Sequence, residues 1–260
     1  MLPIIDKPVI HYVVEEAFDS GIEDILIITG RGKRAIEDYF DDAPELRMHL
    51  EQHGKSRQLR DLHNIFRFGG IHFIRQREPK GLGDAVLSAE KHCGSDPFAV
   101  LLGDDIMKDG IPCTKQIMDI FQKTGSSVIA IREVRKEHLG KYGIVKGKEC
   151  GENLLLLDDI IEKPRPDDAP SRFGSIGRYV FTPTIFSCLK QVTPGSGGEI
   201  QLTDAIRLLM KKEDVYAYTY SGRRFDTGDK LGYIETIIDF ALNDKTMKTP
   251  LKAFLNRLVK

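Results

Sequence analysis

The chain predicts an α/β fold with a mixed, mostly parallel, doubly wound sheet. Apolar runs such as Asp24-Ile25-Leu26-Ile27-Ile28-Thr29 are short and do not alternate with polar residues, as expected of strands buried on both faces. Stretches of helical period separate them, and alternating strands and helices call for parallel strands with right-handed crossovers. The run Leu101-Leu102-Gly103-Asp104-Asp105 stops at two acids, and ligands of open α/β sheets bind at the carboxyl ends of strands.

The elements follow in order. Pro8 suits a first helical turn, so a helix is expected over 9–18. A strand over 24–29 leads through Gly30-Arg31-Gly32-Lys33 into a helix ending at Phe40. Residues 44–65 have the charge pattern of a long, partly exposed helix. A strand over 71–76, a helix over 83–92, the strand ending at Asp104, a helix over 112–123 and a strand over 127–132 complete the alternation. Then the pattern changes. Strands over 143–146, 154–162 and 174–181 have few helices between them and predict a mixed or antiparallel extension of the same sheet. Helices over 183–190 and 203–212, a last strand over 215–220 and helices over 230–242 and 250–259 close the chain. Thr203 is the expected cap of its helix. The loop over 164–170, rich in proline and aspartate, is the expected mobile segment. No repeat or long linker divides the 260 residues, so a single domain is expected.

Composition excludes several classes. The 38 basic and 39 acidic residues nearly balance, whereas a broad nucleic-acid footprint needs a basic excess. No apolar stretch approaches the length of a membrane span. Asp6, Lys7, Glu15 and Glu16 interrupt the first twenty residues, unlike a signal peptide. Cys93, Cys113, Cys150 and Cys188 lie far apart and read as buried thiols of a reducing compartment. A cytoplasmic protein with no membrane or nucleic-acid partner is expected.

Residues at strand ends carry the candidate chemistry. Asp104 suits a hard divalent cation, which prefers oxygen ligands, although an acidic turn has the same appearance. Gln76 precedes Pro79-Lys80-Gly81-Leu82-Gly83. Its amide offers a donor and an acceptor, matching a pyrimidine edge, and Gly81 lets backbone approach a ligand closely. An ordinary strand-to-helix turn would use the same residues. Asp226 either meets Asp104 across a cleft and shares a metal or caps the next helix, a task open also to Asp229. Lys163 can neutralise a phosphate as a point charge and Glu162 can accept two sugar hydroxyls, or the two form a solvated pair before Pro164. Tyr142, Gly143 and Gly177 belong to glycine–aromatic pairs that fit either backbone contact with a sugar ring or strand bulges. Tyr179 shares a strand face with Phe181 and reads as core. Glu199 is an outside candidate, and Lys33 and Arg34 read as exposed basic residues at a helix start. No His/Cys metal spacing, nucleophile elbow or Walker A loop appears.

In this order the segments MLPIIDKPVIHYVVEEA, GIEDILIITGRGKRAIEDYFD, KGLGDAVLSA, the acidic strand end, IIEKP, IGRYVF, GGEIQLTDAI and DTGDKLGYIETIIDFAL resemble the bacterial UTP–glucose-1-phosphate uridylyltransferases over nearly the whole chain. The resemblance implies a Rossmann-like fold of the nucleotide-diphospho-sugar transferase type, with a nucleotide half over about 1–132 and a sugar half over about 133–260. It implies UTP and glucose 1-phosphate as substrates, Mg2+ as cofactor, and a homo-oligomer, dimer or tetramer. It makes Gln76 and Gly81 nucleotide-binding, Asp104 and Asp226 the metal ligands, and Glu162 and Lys163 the holders of the glucose hydroxyls and sugar phosphate. Tyr142, Gly143 and Gly177 fall on sugar-pocket positions. Asp104, Lys163 and Asp226 are the implied catalytic residues.

The chain departs from the family at its start. The family's first strand, its G-x-G-T-R loop and a following Pro-Lys pair precede the M-L-P segment, and here the chain starts at Met1-Leu2-Pro3. Without that strand, neighbouring edges are expected to stay unpaired. A longer natural chain, a fragment and a sugar-nucleotide-binding pseudoenzyme each account for the departure. A related enzyme using dTTP or another sugar 1-phosphate is the rival within the enzyme class, since Gln76 suits thymine as well as uracil.

Overall fold

A computed structural model describes residues 1–56, 58–60, 62, 68, 70–108, 110–195 and 198–258. A two-stranded hairpin, β1 (Pro3–Ile4) and β2 (Lys7–Pro8), leads into α1 (Val9–Asp19). Then come β3 (Ile25–Thr29), α2 (Arg34–Phe40), α3 (Pro44–Gln52), β4 (Ile71–Arg75), α4 (Leu82–Ser88) and α5 (Glu90–Cys93). The middle of the chain forms β5 (Phe98–Leu101), β6 (Asp105–Lys108), α6 (Cys113–Thr124), β7 (Ser127–Glu133), a 3-10 turn (Lys136–Lys141), β8 (Gly143–Gly151), β9 (Leu154–Glu162) and β10 (Phe173–Phe181). The remainder is α7 (Thr184–Leu189), α8 (Leu202–Leu209), β11 (Val215–Thr219), β12 (Arg223–Asp226), α9 (Lys230–Asn243) and α10 (Lys248–Leu258).

Six strands form one sheet in the order β5-β10-β7-β11-β9-β8. The main core lies on one face of it, where Ile129, Ile131, Tyr179 and Phe181 meet Ile185 of α7 and Ile206 and Leu209 of α8. Burying each such side chain contributes about 1.5–3 kcal/mol. The opposite face packs Val128, Ala130 and Val180 against Ile117 of α6, which stops at Gly125 in the left-handed conformation (φ 66°) that glycine adopts without a Cβ penalty.

The α/β class and the mixed sheet agree with expectation, but the parallel share is smaller. Only β7–β11 is parallel within the six-stranded sheet, and β3–β4 form a separate parallel pair. The cause is local chain geometry. A two-residue link, with Asn153 at φ 56°, joins β8 to β9, and so tight a link enforces antiparallel pairing. The strand β10 then returns antiparallel between β5 and β7.

Other expectations need correction. The helix over 44–65 breaks after Gln52, at a turn holding Gly54 at φ 62°; its continuation towards Ile65, like the expected end of the last helix at Val259, lies outside the described residues. Thr203 does not cap α8; Gln201 stands at that position and makes no side-chain cap bond. Cys150 is exposed, whereas Cys113 and Cys188 are buried. The four-residue strands β6 and β12 were not expected, and they prove central to the site.

Among the described residues, β3 pairs only with β4 and β5 only with β10. Their free edges line one mostly apolar cavity of about 750 Å3. Residues 25–28 and 98–103 all border it consecutively, which a strand edge does and a strand face does not. Val13 and Val14 of α1 and Ala85 and Val86 of α4 also line it. Hydrogen–deuterium exchange should therefore show β7, bonded on both edges, protected at least about tenfold longer than β3 and β5. Equal protection of the three strands would contradict the open-edge topology.

Candidate active site

The site begins with a buried charge pair. Glu16 lies on the buried face of α1 among Val13, Val14 and Ala17, and Arg178 sits fully buried in the middle of β10. Two ions withdrawn from water need each other and a full set of hydrogen bonds. Arg178 Nε donates to Glu16 Oε1 and Oε2 at 3.2 and 3.0 Å, and Nη2 donates to Oε2 at 2.8 Å. Its remaining donors go to main-chain carbonyls: Nη1 to Leu102 and Gly177, each at 3.2 Å, and Nη2 to Asp105 at 2.7 Å. All five guanidinium protons are thus committed. Thr114 completes Glu16 through its N–H (3.1 Å) and hydroxyl (2.7 Å).

These bonds fix the acidic turn. Arg178 holds the carbonyls of Leu102 and Asp105, on either side of Gly103-Asp104. The carbonyl of Asp104 itself accepts from the N–H and hydroxyl of Thr227 at 2.9 and 2.7 Å. Gly177 has φ 74°, and a Cβ there would lie 2.8 Å from Asp105 Oδ2. Close approach to Asp105, together with the positive φ, is a sufficient structural reason for this glycine.

The chain does not turn away after Asp105 but continues as β6. That strand pairs antiparallel with β12, placing Asp226 directly opposite Asp105. Asp226 and the acidic turn are therefore ladder neighbours, not residues facing across a cleft. Asp229 caps α9 by accepting from Gly232 N at 2.8 Å, which leaves Asp226 free of that task. A Cβ at Gly228 would meet Asp104 Oδ2 at 3.0 Å and Asp226 Oδ1 at 3.1 Å. Two carboxylates thus converge on a cradle that only glycine leaves open. The Asp104 side chain is exposed and so open to an ion from solvent. This donor set fits a hard divalent cation. Among the described residues no group of three or more His, Cys, Asp or Glu could hold a metal, so an ion here would complete its shell with substrate oxygens and water.

The third acid of the corner, Asp105, is 3 % exposed. Burial pushes its carboxyl up to about 7, and Arg224 opposes that push. Arg224 Nη2 lies 2.6 Å from Asp105 Oδ1 and 3.1 Å from Asp226 Oδ2. Its guanidinium carbon sits 4.9 Å from the centre of the Tyr142 ring, a cation–π arrangement. Nη1 donates to the Tyr142 hydroxyl at 2.9 Å, which in turn donates to Asp226 at 3.3 Å.

Tyr142 joins this corner to the other candidates. Gly143 pairs with Glu162 at the end of the β8–β9 ladder, and Lys163 N donates to the carbonyl of Tyr142 at 3.0 Å. Lys163 has φ 43°, unusual for a residue with a Cβ. Its ammonium lies 3.5 Å from Glu162. A Cβ at Gly143 would strike Thr203 Cγ2 at 2.8 Å and approach Glu162 Oε2 at 3.4 Å. Gln76 and Gly81 form a separate loop: Gln76 Nε2 donates to Asp84 at 2.6 Å and to the carbonyl of Gly81 at 3.4 Å. Gly81, at φ 91°, sits where a Cβ would meet the Ile200 carbonyl at 2.9 Å and Glu199 Cβ at 3.0 Å. Residues 199–203 therefore touch both groups, which is the structural part played by Glu199.

The family profile of nucleotidyl transferases matches residues 1–241. The chain belongs to the nucleotidyl transferase family. It is 47 % identical over 259 residues to a UTP–glucose-1-phosphate uridylyltransferase of Bacillus subtilis, covering 100 % of this chain and 89 % of that protein. A relative of the same name from Staphylococcus epidermidis is 46 % identical, with coverage of 99 % and 90 %. Among solved structures, a UDP-glucose pyrophosphorylase complexed with UDP-glucose superposes with a TM-score of 0.86 at 41 % identity, covering 94 % of this chain and 90 % of that one. A UTP-bound enzyme from Acinetobacter baumannii superposes at 0.89 with 35 % identity, covering 99 % and 90 %.

In this transferase the residues missed from sequence are Arg178, Glu16, Asp105 and Arg224. Two of them carried a signal, since a charged residue inside an apolar run is buried only when paired. Replacing Arg178 by Met should cost about 3–5 kcal/mol, because Glu16 then lies buried without a partner. Urea denaturation measures it; a loss of less than about 1 kcal/mol would contradict the pairing.

Proposed function

We propose that this chain transfers the uridylyl group of UTP to glucose 1-phosphate, giving UDP-glucose and pyrophosphate. The convergence of Asp104 and Asp226 at Gly228, joined through Tyr142 to Glu162 and Lys163, is the observation that carries this reading. The relatives that bear this name, and the solved neighbours with UTP and UDP-glucose, support the choice of substrates over dTTP.

An oxygen of the sugar phosphate attacks the α-phosphorus of UTP. A phosphorus–oxygen bond forms as the bond to the β-phosphate breaks, and pyrophosphate leaves with the electron pair. The nucleophile is already an anion, so no protein base is required. Rate must come from positioning and from neutralising charge. Asp104 and Asp226 would hold Mg2+, which when bound screens the phosphates and steadies the leaving group. Lys163 holds the attacking phosphate, and Glu162, with Tyr142 and Gly143, receives the glucose. Gln76 reads the uracil edge and Gly81 brings backbone close to the nucleoside. Gly177 serves the sugar pocket only indirectly, through the acidic turn that it admits.

We read the chain as one domain, with a nucleotide half over about 1–132 and a sugar half over about 133–260. The sheet order supports this, since β10 of the second half lies between β5 and β7 of the first. Exposed Leu231 and Ile234 on α9 and Phe254 and Leu258 on α10 favour a homo-oligomer, dimer or tetramer. Among the described residues no helix is long and apolar enough to cross a membrane, in keeping with a cytoplasmic enzyme.

Pyrophosphate release from UTP and glucose 1-phosphate tests the proposal. Asp104→Asn should lower turnover at least about 100-fold with the fold intact. Lys163→Gly relieves a strained backbone position, so its denaturation midpoint should hold or rise. Its KM for glucose 1-phosphate should nevertheless increase about tenfold or more, the loss of one charge-assisted contact. An unchanged KM removes Lys163 from the site.

A further inference from the structure

We propose that Arg224 is a tethered cation that stands in for part of the divalent charge in the acidic corner and keeps the corner's affinity for a free metal ion low. This rests on the reading that Asp104 and Asp226 hold the ion.

The argument starts from the ladder. Asp105 and Asp226 are direct cross-strand partners, and like charges so placed repel. Asp104 adds a third carboxylate beside them, bordering the same Gly228. Such a corner should draw a divalent ion strongly, yet a protein cation already occupies part of it. Arg224 bridges Asp105 at 2.6 Å and Asp226 at 3.1 Å. Asp226 is therefore shared: Oδ1 faces Gly228 and Asp104, while Oδ2 faces Arg224.

The two arginines of the site are held differently. Arg178 uses every proton it has and is locked. The Nε of Arg224 is buried with no hydrogen-bond partner, and Asp105 Oδ1 accepts no hydrogen bond of good geometry despite its short contact. Arg224 is thus held by an incomplete hydrogen-bond set, Nη1 to the Tyr142 hydroxyl and Nη2 to Asp226, together with charge and the face of Tyr142. A cation held by charge yields to a stronger charge, whereas one held by a full hydrogen-bond set does not. It also pairs off Asp105, which explains why the ion takes the first acid of the Asp104-Asp105 pair. The consequence is that an ion alone competes with Arg224 for Asp226, while an ion arriving on a triphosphate brings its own negative charge and meets no such penalty.

Mn2+ binding to the full chain, followed by electron paramagnetic resonance without nucleotide, tests this. Arg224→Gln should bind Mn2+ at least about tenfold more tightly than the unaltered protein, and adding Asp104→Asn to it should abolish the gain. Equal or weaker binding by Arg224→Gln overturns the inference. A gain that survives Asp104→Asn instead overturns the assignment of the ion to Asp104. Should Arg224→Gln fail to fold, anomalous scattering from crystals of the unaltered protein soaked in Mn2+ decides. Arg224 should have left Asp226 wherever the ion is bound, and an ion bound with Arg224 still bridging both acids overturns the inference.

Discussion

The Arg178–Glu16 pair is the constraint on which the site depends. A buried ion pair is a poor source of stability, since desolvation consumes most of its attraction. Its value here is geometric. Arg178 belongs to β10, between β5 and β7, Glu16 to the first helix, and the carbonyls that Arg178 holds flank the turn that leads into β6. Three segments distant in sequence are thereby tied at one point. The acid that faces solvent next to that point inherits its position from groups that never touch solvent themselves.

A second level of order comes from pairing β6 with β12. These strands are only four residues long and are not part of the main sheet. They bring Asp105 and Asp226 into register, and the hydrophobic cluster of Ile4, Val9 and Ile106 with Phe225 and Phe240 backs them from behind. The backing explains why the site survives on so short a ladder. Ile106 and Phe225 are ladder partners, so the same register that opposes Asp105 and Asp226 on one face packs apolar side chains on the other.

Much of this was legible from residue order. Long apolar strands such as β7 and β10 announce themselves because burial on both faces removes polar residues. Strand-end acids and the Glu162-Lys163 pair were legible for a similar reason: charge following an apolar run marks where chain leaves the core. The unexpected parts share one cause. The strands β6 and β12 mix Asp, Lys and Arg with apolar residues over four positions, too short for any period to show. The antiparallel return of β10 is set by contacts with strands far away in sequence. Whether Asp104 or Asp105 faces outward depends on the pleat and on Arg224, which stands more than a hundred positions later in the chain.

The open edges of β3 and β5 bear on how the protein behaves in company. Each offers a row of main-chain donors and acceptors beside apolar walls, the combination from which intermolecular sheets grow. A chain with two such edges facing one cleft is a template for any extended segment nearby, its own kind included.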